Sequence, residues 1–483
     1  MNNLSRSIPV KKEILVKVIK AFLSDNFEEQ VNAIPQELYP EKDDLSKEHT
    51  KIRARILAGL GFSIEETDEA ISLAKYAQQA LQRTEINSKH LTVIKPACQA
   101  CRSNTIYVSN LCKGCTAHPC ISSCKFGAIA IVNGRSVIDD SKCKKCQMCI
   151  KACPYHAIVK LAVPCEDACP VGAMGKDEAG LAHVNHESCI SCGKCIASCP
   201  FGAIHEKSQI IDILKAIKDG KNVIAMLAPA IAGQFQGNIY QLKTALKEAG
   251  FTDVYEVAQG ADITAHKEAE EFTEKLKEGK LEQTFMTTSC CAGYNQLVKK
   301  HLPEIKPYVS TTGTPAYYIS EIIKKEMPDA VTVFVSPCLA KRAEGLDNPN
   351  INYVMNCEEL DALLTAKDIE VSKCEETHYP VKSSKHARNF CLTGGVAESV
   401  KASLTDESVI KPCVINGLNK ESIRQLKTCA KTGQCEGGCN LIEVMCCEGG
   451  CIGGNATLNP LKTAKKQVDG LANNSEDITK LNS

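Results

Sequence analysis

Where the cysteines fall constrains this chain more than any other feature of it. There are 29 in 483 residues, in two blocks: 16 lie between Cys98 and Cys199, 13 between Cys290 and Cys451, and none elsewhere. The opening residues, MNNLSRSIPVKKEILVKVIK, put charges where an export signal needs an apolar stretch, so the expected location is cytoplasmic. In that reducing compartment a cysteine-dense chain uses its thiols as metal ligands or redox groups more often than as disulfides. Two separate metal-binding regions are expected.

Within the first block two segments share the pattern C-x2-C-x2-C-x3-C-P: Cys143, Cys146, Cys149, Cys153, Pro154 and Cys189, Cys192, Cys195, Cys199, Pro200. This is the run of bacterial ferredoxins, in which three thiolates hold one [4Fe-4S] cluster and the fourth reaches a second. A looser copy, Cys112-x2-Cys115-x4-Cys120-x3-Cys124, precedes them, and Cys165-x3-Cys169-Pro170 reads as the second half of another. After each fourth cysteine the chain repeats a theme: KFGAI, PYHAI, PVGAM, PFGAI. Cys124 and Cys143 are 19 positions apart and Cys169 and Cys189 are 20, which pairs the runs into two tandem 2[4Fe-4S] ferredoxin-like modules. Cys98-x2-Cys101 would complete the truncated run and bring the ligands to 16, enough for four [4Fe-4S] clusters. The alternative is a zinc ribbon of Cys98, Cys101, Cys112 and Cys115, which would strand Cys120 and Cys165. Such a cluster array carries single electrons to or from a catalytic centre elsewhere.

The remaining composition narrows the class. With 57 basic and 57 acidic residues there is no electrostatic footprint for nucleic acid, and 24% charged with 44% hydrophobic residues is a globular mixture. No membrane span is expected: residues 222–242 lack charge, but Pro229 and several amides interrupt them. Residues 1–90 place Ile52, Ile56 and Leu60, then Ile71, Leu73, Ala77 and Leu81, at helical spacing, with a proline-containing connector near 35–42 and Thr67 or Asp68 as a cap. They read as a small helical N-terminal domain for docking or packing. Residues 91–208 hold the iron–sulfur modules. From 209 to 483 the pattern alternates, with strands at 221–228, 283–287 and 330–335, helices at 211–219 and 265–277, and a polar helix or tail over the last ~20 residues. The fold class is multidomain α+β, its last part an α/β domain with parallel sheets.

Three segments of that domain stand out: TTSCCAGY (287–294), SPCLAKRAE (336–344) and EVMCCEGGCIGG (443–454). The first two directly succeed predicted strands, so their cysteines sit at carboxyl ends, where α/β sheets bind ligands. The third runs into glycines that let backbone approach a bulky inorganic group. Four soft thiolates from three loops make a cage for an iron–sulfur cluster.

These segments resemble the three signature motifs of the [FeFe]-hydrogenases, TSCCPGW, MPCxxKxxE and ExMACxGGCxxGGG, and the resemblance covers about 209–460. It implies an enzyme that reversibly forms H2 from protons at an H-cluster, exchanging electrons with ferredoxin or a similar carrier and loaded by maturation proteins. By motif, Cys291, Cys338, Cys447 and Cys451 would hold the [4Fe-4S] part. Cys451 would bridge to a two-iron subsite bearing CO, CN and a dithiolate with a central amine. Lys341 matches the lysine that hydrogen-bonds a cyanide, Glu344 the acid that could position it, and Met445 the thioether against the subsite. Ala228 and Pro229 match a backbone cyanide-binding segment. Cys290 matches the non-ligating thiol that passes protons, with Ser310, Glu268 and Glu271 behind it; the i, i+3 spacing puts both glutamates on one helix face.

The chain also departs from the pattern. Ala292 and Tyr294 replace Pro and Trp, Ser336 replaces Met, Cys446 replaces Ala, Ala230 replaces Ser and Ala316 replaces Gln; NATLNP stands for the usual G-x-Q-P tail. Every cluster ligand survives, while the residues behind the ligands, which tune potential, change. The rival readings are a non-catalytic hydrogenase-like iron–sulfur protein: an assembly factor, against which Lys341, Met445 and Cys290 count, or an H2 sensor. Cys429, Cys435 and Cys439 have no role in the pattern and are either another metal site or buried thiols. Cys357, Cys374, Cys391 and Cys413 are read as structural.

Overall fold

The computed structural model describes residues 7–39, 45–86, 88–101, 105–279 and 284–478. The chain opens with α1 (Ser7–Leu23), α2 (Phe27–Leu38), α3 (Leu45–Gly59) and α4 (Leu73–Gln82). Pro35 does not start a connector: it sits inside α2, and the Tyr39 amide still bonds the Pro35 carbonyl. Of the expected connector, residues 40–42 lie outside the described residues. The cap of α4 is Ser72, whose hydroxyl accepts from the Lys75 amide, rather than Thr67 or Asp68. The apolar faces of α1 to α4 do not close on themselves. Ile14, Val18, Ile52, Ile56 and Ala77 belong to the same buried cluster as the strands of the C-terminal α/β unit. Lys11 clamps this arrangement by pairing with both Glu206 and Glu358, and Arg83 pairs with Asp212 at 2.6 Å.

The iron–sulfur region is two nested hairpin-built modules. One is made from residues 105–161: Thr105–Val108 pairs antiparallel with Ile158–Leu161, and Ile129–Val132 with Arg135–Ile138. The other brackets it in sequence. Its outer pair joins Leu91–Val93 to Ile204–Glu206, and its inner pair joins Met174–Lys176 to Ala182–Val184. The segment carrying Cys98 and Cys101 therefore belongs to the second module, with the first inserted behind it.

In the α/β unit a four-stranded sheet and a three-stranded sheet, both all-parallel, lie between helices. Introduced in chain order, the strands are β1 (Val223–Leu227), β2 (Asp253–Glu256), β3 (Met286–Thr287), β4 (Val331–Val335), β5 (Tyr353–Met355), β6 (Pro412–Asn416) and β7 (Leu441–Met445). The sheet orders are β2-β1-β4-β5 and β3-β7-β6. Every residue of β1 and β7 is buried, as unbroken apolar runs in parallel strands covered on both faces require. The helices that position the site are α5 (Ile210–Lys218), α6 (Ala258–Lys277), α7 (Ala292–His301), α8 (Lys341–Asp347), α9 (Cys357–Ala366), α10 (Lys420–Thr432) and α11 (Leu461–Asn473). The strand expected at 283–287 is observed only over β3, and Gln283 lies outside the described residues. Asn356 and Asn419 close capping boxes at α9 and α10. Arg342, fully buried, ties the modules to this unit by bonding the Lys207 carbonyl at 2.5 Å and Glu359 at 2.7 Å. Among the described residues no helix is long and apolar enough to cross a membrane.

Candidate active site

All three motifs leave the carboxyl ends of parallel strands: Cys290 and Cys291 come after β3, Cys338 after β4, and Cys447 and Cys451 after β7. The two sheets deliver these ends to one place. Burial pushes the Cys338 thiol up to about 12, and Cys447 and Cys291 add to that while Lys341 opposes it. Burial likewise raises Cys451, which Cys338, Cys291 and Cys290 also surround. The Cys446 amide points at the Cys291 sulfur at 3.3 Å. A thiolate set this deep needs a cation to exist, and four soft donors around one point suit iron in a cluster. The loop between the last two cysteines is shaped for close approach. Gly450 has φ +84, and a Cβ there would lie 2.4 Å from the Cys391 carbonyl oxygen. That carbonyl also accepts from the Cys451 amide at 2.7 Å.

Lys341 heads α8 and points its ammonium into the same place. It bonds Glu344 at 2.6 Å and the Cys290 carbonyl at 3.4 Å, and Glu344 is itself held by the Thr314 hydroxyl at 2.7 Å. Burial alone would lower the Lys341 pKa, but the Glu344 carboxylate outweighs it, so the lysine stays charged. Met445 ends β7 and shares an apolar cluster with Cys290 and Phe390. The Ala228 amide bonds the Val335 carbonyl, Pro229 opens a short 3-10 turn, and Ala230 in that turn packs in the cluster that Cys451 borders. Ser336, where the motif has Met, accepts from the Cys338 amide at 3.3 Å.

Behind Cys290 lies a chain of exchangeable groups. Glu268, fully buried on α6, accepts from the Ser289 amide at 3.0 Å and hydroxyl at 3.1 Å, while its second oxygen has no hydrogen-bond partner. Burial pushes Glu268 up to about 7. The Ser310 hydroxyl donates to Glu271 at 2.7 Å, and Lys275 pairs with the same carboxylate at 2.7 Å. Burial would raise Glu271, but the Lys275 and Ser310 bonds outweigh it and its pKa is lowered. Cys290 sits beside this row, its thiol raised well above the usual value by burial and then by the Glu268 charge.

The structure gathers the other cysteines into quartets. Cys98, Cys101, Cys165 and Cys199 line one cavity, and Cys124, Cys143, Cys146 and Cys149 another. Cys112, Cys115, Cys120 and Cys153 lie within the inserted module. Cys169, Cys189, Cys192 and Cys195 act on one another's titration. Amides point at the sulfurs of Cys124, Cys143, Cys169, Cys189 and Cys199, donors that favour thiolate. The last quartet docks on the α/β unit through Asn455 to the Cys192 carbonyl at 2.7 Å and Lys300 to the Cys189 carbonyl at 2.6 Å. Contact with the Cys446 thiol pulls Cys192 down to about 7, and Cys446 also contacts Cys447.

Three functional features escaped the sequence reading. Glu443 in the third motif is buried and accepts from the Gly394 and Ala397 amides at 2.7 and 2.8 Å, locking β7 to the first turn of the helix Gly395–Ala402; its place in the motif was the available signal. Cys446 turns out to link two cysteine sets. Cys413, read as structural, meets Cys435 at 3.5 Å.

Residues 221–455 match the family model for the iron only hydrogenase large subunit, C-terminal domain. Residues 103–163 match a 4Fe-4S dicluster domain, and residues 160–210 the LdpA Fe-S cluster-binding domain. The chain is 32% identical over 293 residues to the periplasmic [Fe] hydrogenase large subunit of Nitratidesulfovibrio vulgaris, covering 54% of this chain and 66% of that one. It is 23% identical over 267 residues to a probable cytosolic Fe-S cluster assembly factor of Drosophila willistoni, covering 44% and 54%. The chain thus spans between half and two thirds of these curated relatives. A solved [FeFe]-hydrogenase variant from Chlamydomonas reinhardtii overlays with a TM-score of 0.46 at 17% identity, covering 56% of this chain and 92% of that one.

Proposed function

The chain belongs to the iron-only hydrogenase family, and from that premise we propose that it is a ferredoxin-dependent [FeFe]-hydrogenase, joining two protons and two electrons into H2 and reversing that step. One observation carries this reading: the four motif thiols meet a charged buried lysine, a thioether and a non-ligating thiol backed by a protonatable glutamate. An assembly factor would need the thiols alone.

Cys291, Cys338, Cys447 and Cys451 would hold the [4Fe-4S] part of the H-cluster, with Cys451 shared by the two-iron subsite. When bound, that subsite with its CO, CN and dithiolate ligands supplies the centre at which H2 is made or split. Lys341, kept positive by Glu344, has hydrogens to offer an anionic ligand. The Ala228–Pro229 backbone and Met445 would line the subsite when it is bound. Cys290 holds a proton at its sulfur, Glu268 takes or returns one at its unpartnered oxygen, and Ser310 and Glu271 continue the row outward.

Electrons would pass through four [4Fe-4S] clusters: Cys112, Cys115, Cys120 with Cys153; Cys143, Cys146, Cys149 with Cys124; Cys98, Cys101, Cys165 with Cys199; Cys189, Cys192, Cys195 with Cys169. Contact of Cys446 with Cys192 and Cys447 supports entry from the last of these. Cys146 is exposed among exposed Lys142, Lys144, Lys145 and Lys151, a basic surface suited to an acidic carrier such as ferredoxin.

The test is an infrared spectrum of the chain matured anaerobically, with H2 evolution from a reduced carrier. CO and CN bands with turnover are expected. A chain with full cluster content but neither bands nor turnover would instead be an assembly factor, and bands without turnover would favour a sensor.

A further inference from the structure

Cys413, Cys435 and Cys439 bring their sulfurs within 4.8 Å of one another, although the hydrogenase motifs use none of them. Cys413 lies on β6; Cys435 and Cys439 bracket a tight turn leading into β7, in which the Gly438 amide bonds the Cys435 carbonyl at 3.1 Å. That turn requires left-handed backbone at Gly437 (φ +78) and Gly438 (φ +69), so its glycines set the spacing of the two thiols. Cys429, 3% exposed in the last turn of α10, is outside that 4.8 Å set but borders it: it shares the buried cluster with Cys435, against which Cys413 and Cys439 pack.

The sulfur spacing selects a single tetrahedral ion over a cluster. A tetrahedral ion with Zn–S bonds of about 2.3 Å holds its sulfurs about 3.8 Å apart, and Cys413 and Cys435 stand at 3.5 Å. A cubane cluster gives each thiolate its own iron at a separate corner and so spreads them wider. The same molecule supplies the calibration. Among the described residues these are the one set of three or more such ligands with every donor atom within 4.8 Å of the others; the ferredoxin-type quartets and the motif quartet are spread wider.

We propose that Cys413, Cys429, Cys435 and Cys439 bind one zinc ion as a four-thiolate structural site. Binding displaces four thiol protons and leaves a site of charge −2, with no change of oxidation state. The site ties α10 to the β6–β7 pair. Cys413 is opposite Ile442 in that pair and Asn416 opposite Met445, so the ion anchors β7 three residues, about 10 Å, before the residue it presents to the candidate active site.

The inference does not depend on hydrogenase activity, and neither does its test. The full chain, purified anaerobically without the two-iron subsite, should contain about one zinc per chain. Its zinc-edge X-ray absorption should show four sulfurs near 2.3 Å. Cys435→Ser/Cys439→Ser should lose that zinc and keep its iron and sulfide. Growth on cobalt should give thiolate-to-cobalt absorption in the wild type and none in the variant. Zinc retained by the variant, nitrogen or oxygen ligands at the zinc edge, or a metal-free wild type with a Cys413–Cys435 disulfide by mass would each overturn the proposal. If the variant does not fold, the wild-type edge spectrum and mass decide alone.

Discussion

Glu268→Gln separates proton transfer from architecture. The Gln oxygen can still accept from the Ser289 amide and hydroxyl, which lie at 3.0 and 3.1 Å, so the turn before Cys290 keeps its support. What disappears is a titrating oxygen. Burial moves Glu268 from an ordinary 4.5 to about 7, which is worth about 3 kcal/mol in favour of the protonated form. The folded chain therefore holds this proton more tightly than the unfolded one. Its stabilising effect is full below about pH 4.5, falls as pH rises to about 7, and is gone above that. In Glu268→Gln that slope vanishes. The variant should gain several degrees of unfolding temperature over the wild type between pH 5 and pH 8. Over the same range H2 evolution and uptake should drop by roughly 10²- to 10⁴-fold, the usual cost of a lost proton carrier, with CO and CN bands intact. Turnover within about tenfold of wild type would show that protons take another route. Parallel stability profiles would show that Glu268 is not held neutral by burial.

The same geometry sets the outcome of other substitutions. Cys290→Ala should retain clusters and infrared bands but lose at least roughly a hundredfold in both directions, because alanine has no proton to exchange; near-full activity would refute its role. Lys341→Ala removes the cation that Glu344 holds at the motif thiols, so CN bands should weaken or shift and retention of the two-iron subsite fall. Unchanged bands and turnover would refute that assignment. Before the subsite is inserted, iron and sulfide should each reach about 20 per chain, from five [4Fe-4S] clusters. About 12 iron, from three clusters, with a zinc released by Cys98→Ser, would instead favour the ribbon.

How much of this could be read beforehand depended on whether ligands come from one turn or from several elements. Cys143, Cys146 and Cys149 are spaced by a single loop and announce themselves. So do the three motifs, because strand runs such as VIAML and VTVFV, apolar but for one β-branched Thr332, mark the loops at their carboxyl ends. Cys98 and Cys101 could be given to the truncated run only by counting ligands, with the zinc ribbon as rival; the structure sets them beside Cys165 and Cys199. Their partners Cys165 and Cys199 lie beyond an entire inserted module, and only the pairing of Leu91–Val93 with Ile204–Glu206 closes that loop. The N-terminal helices looked separable because amphipathicity shows that a face is apolar, not what covers it; here it is the α/β unit. Cys413 was hidden for a third reason. It lies in PCVIN, a strand with little apolar signal, and it meets Cys435 and Cys439 because β6 and β7 pair in parallel with the end of α10 alongside. Parallel pairing needs a long crossover, so partners in such a sheet are distant in sequence. A one-residue slip of β6 would turn Cys413 to the opposite face and dissolve the thiol group. If the zinc site forms, it fixes that register, and with it the strand that ends in Met445 beside the candidate active site.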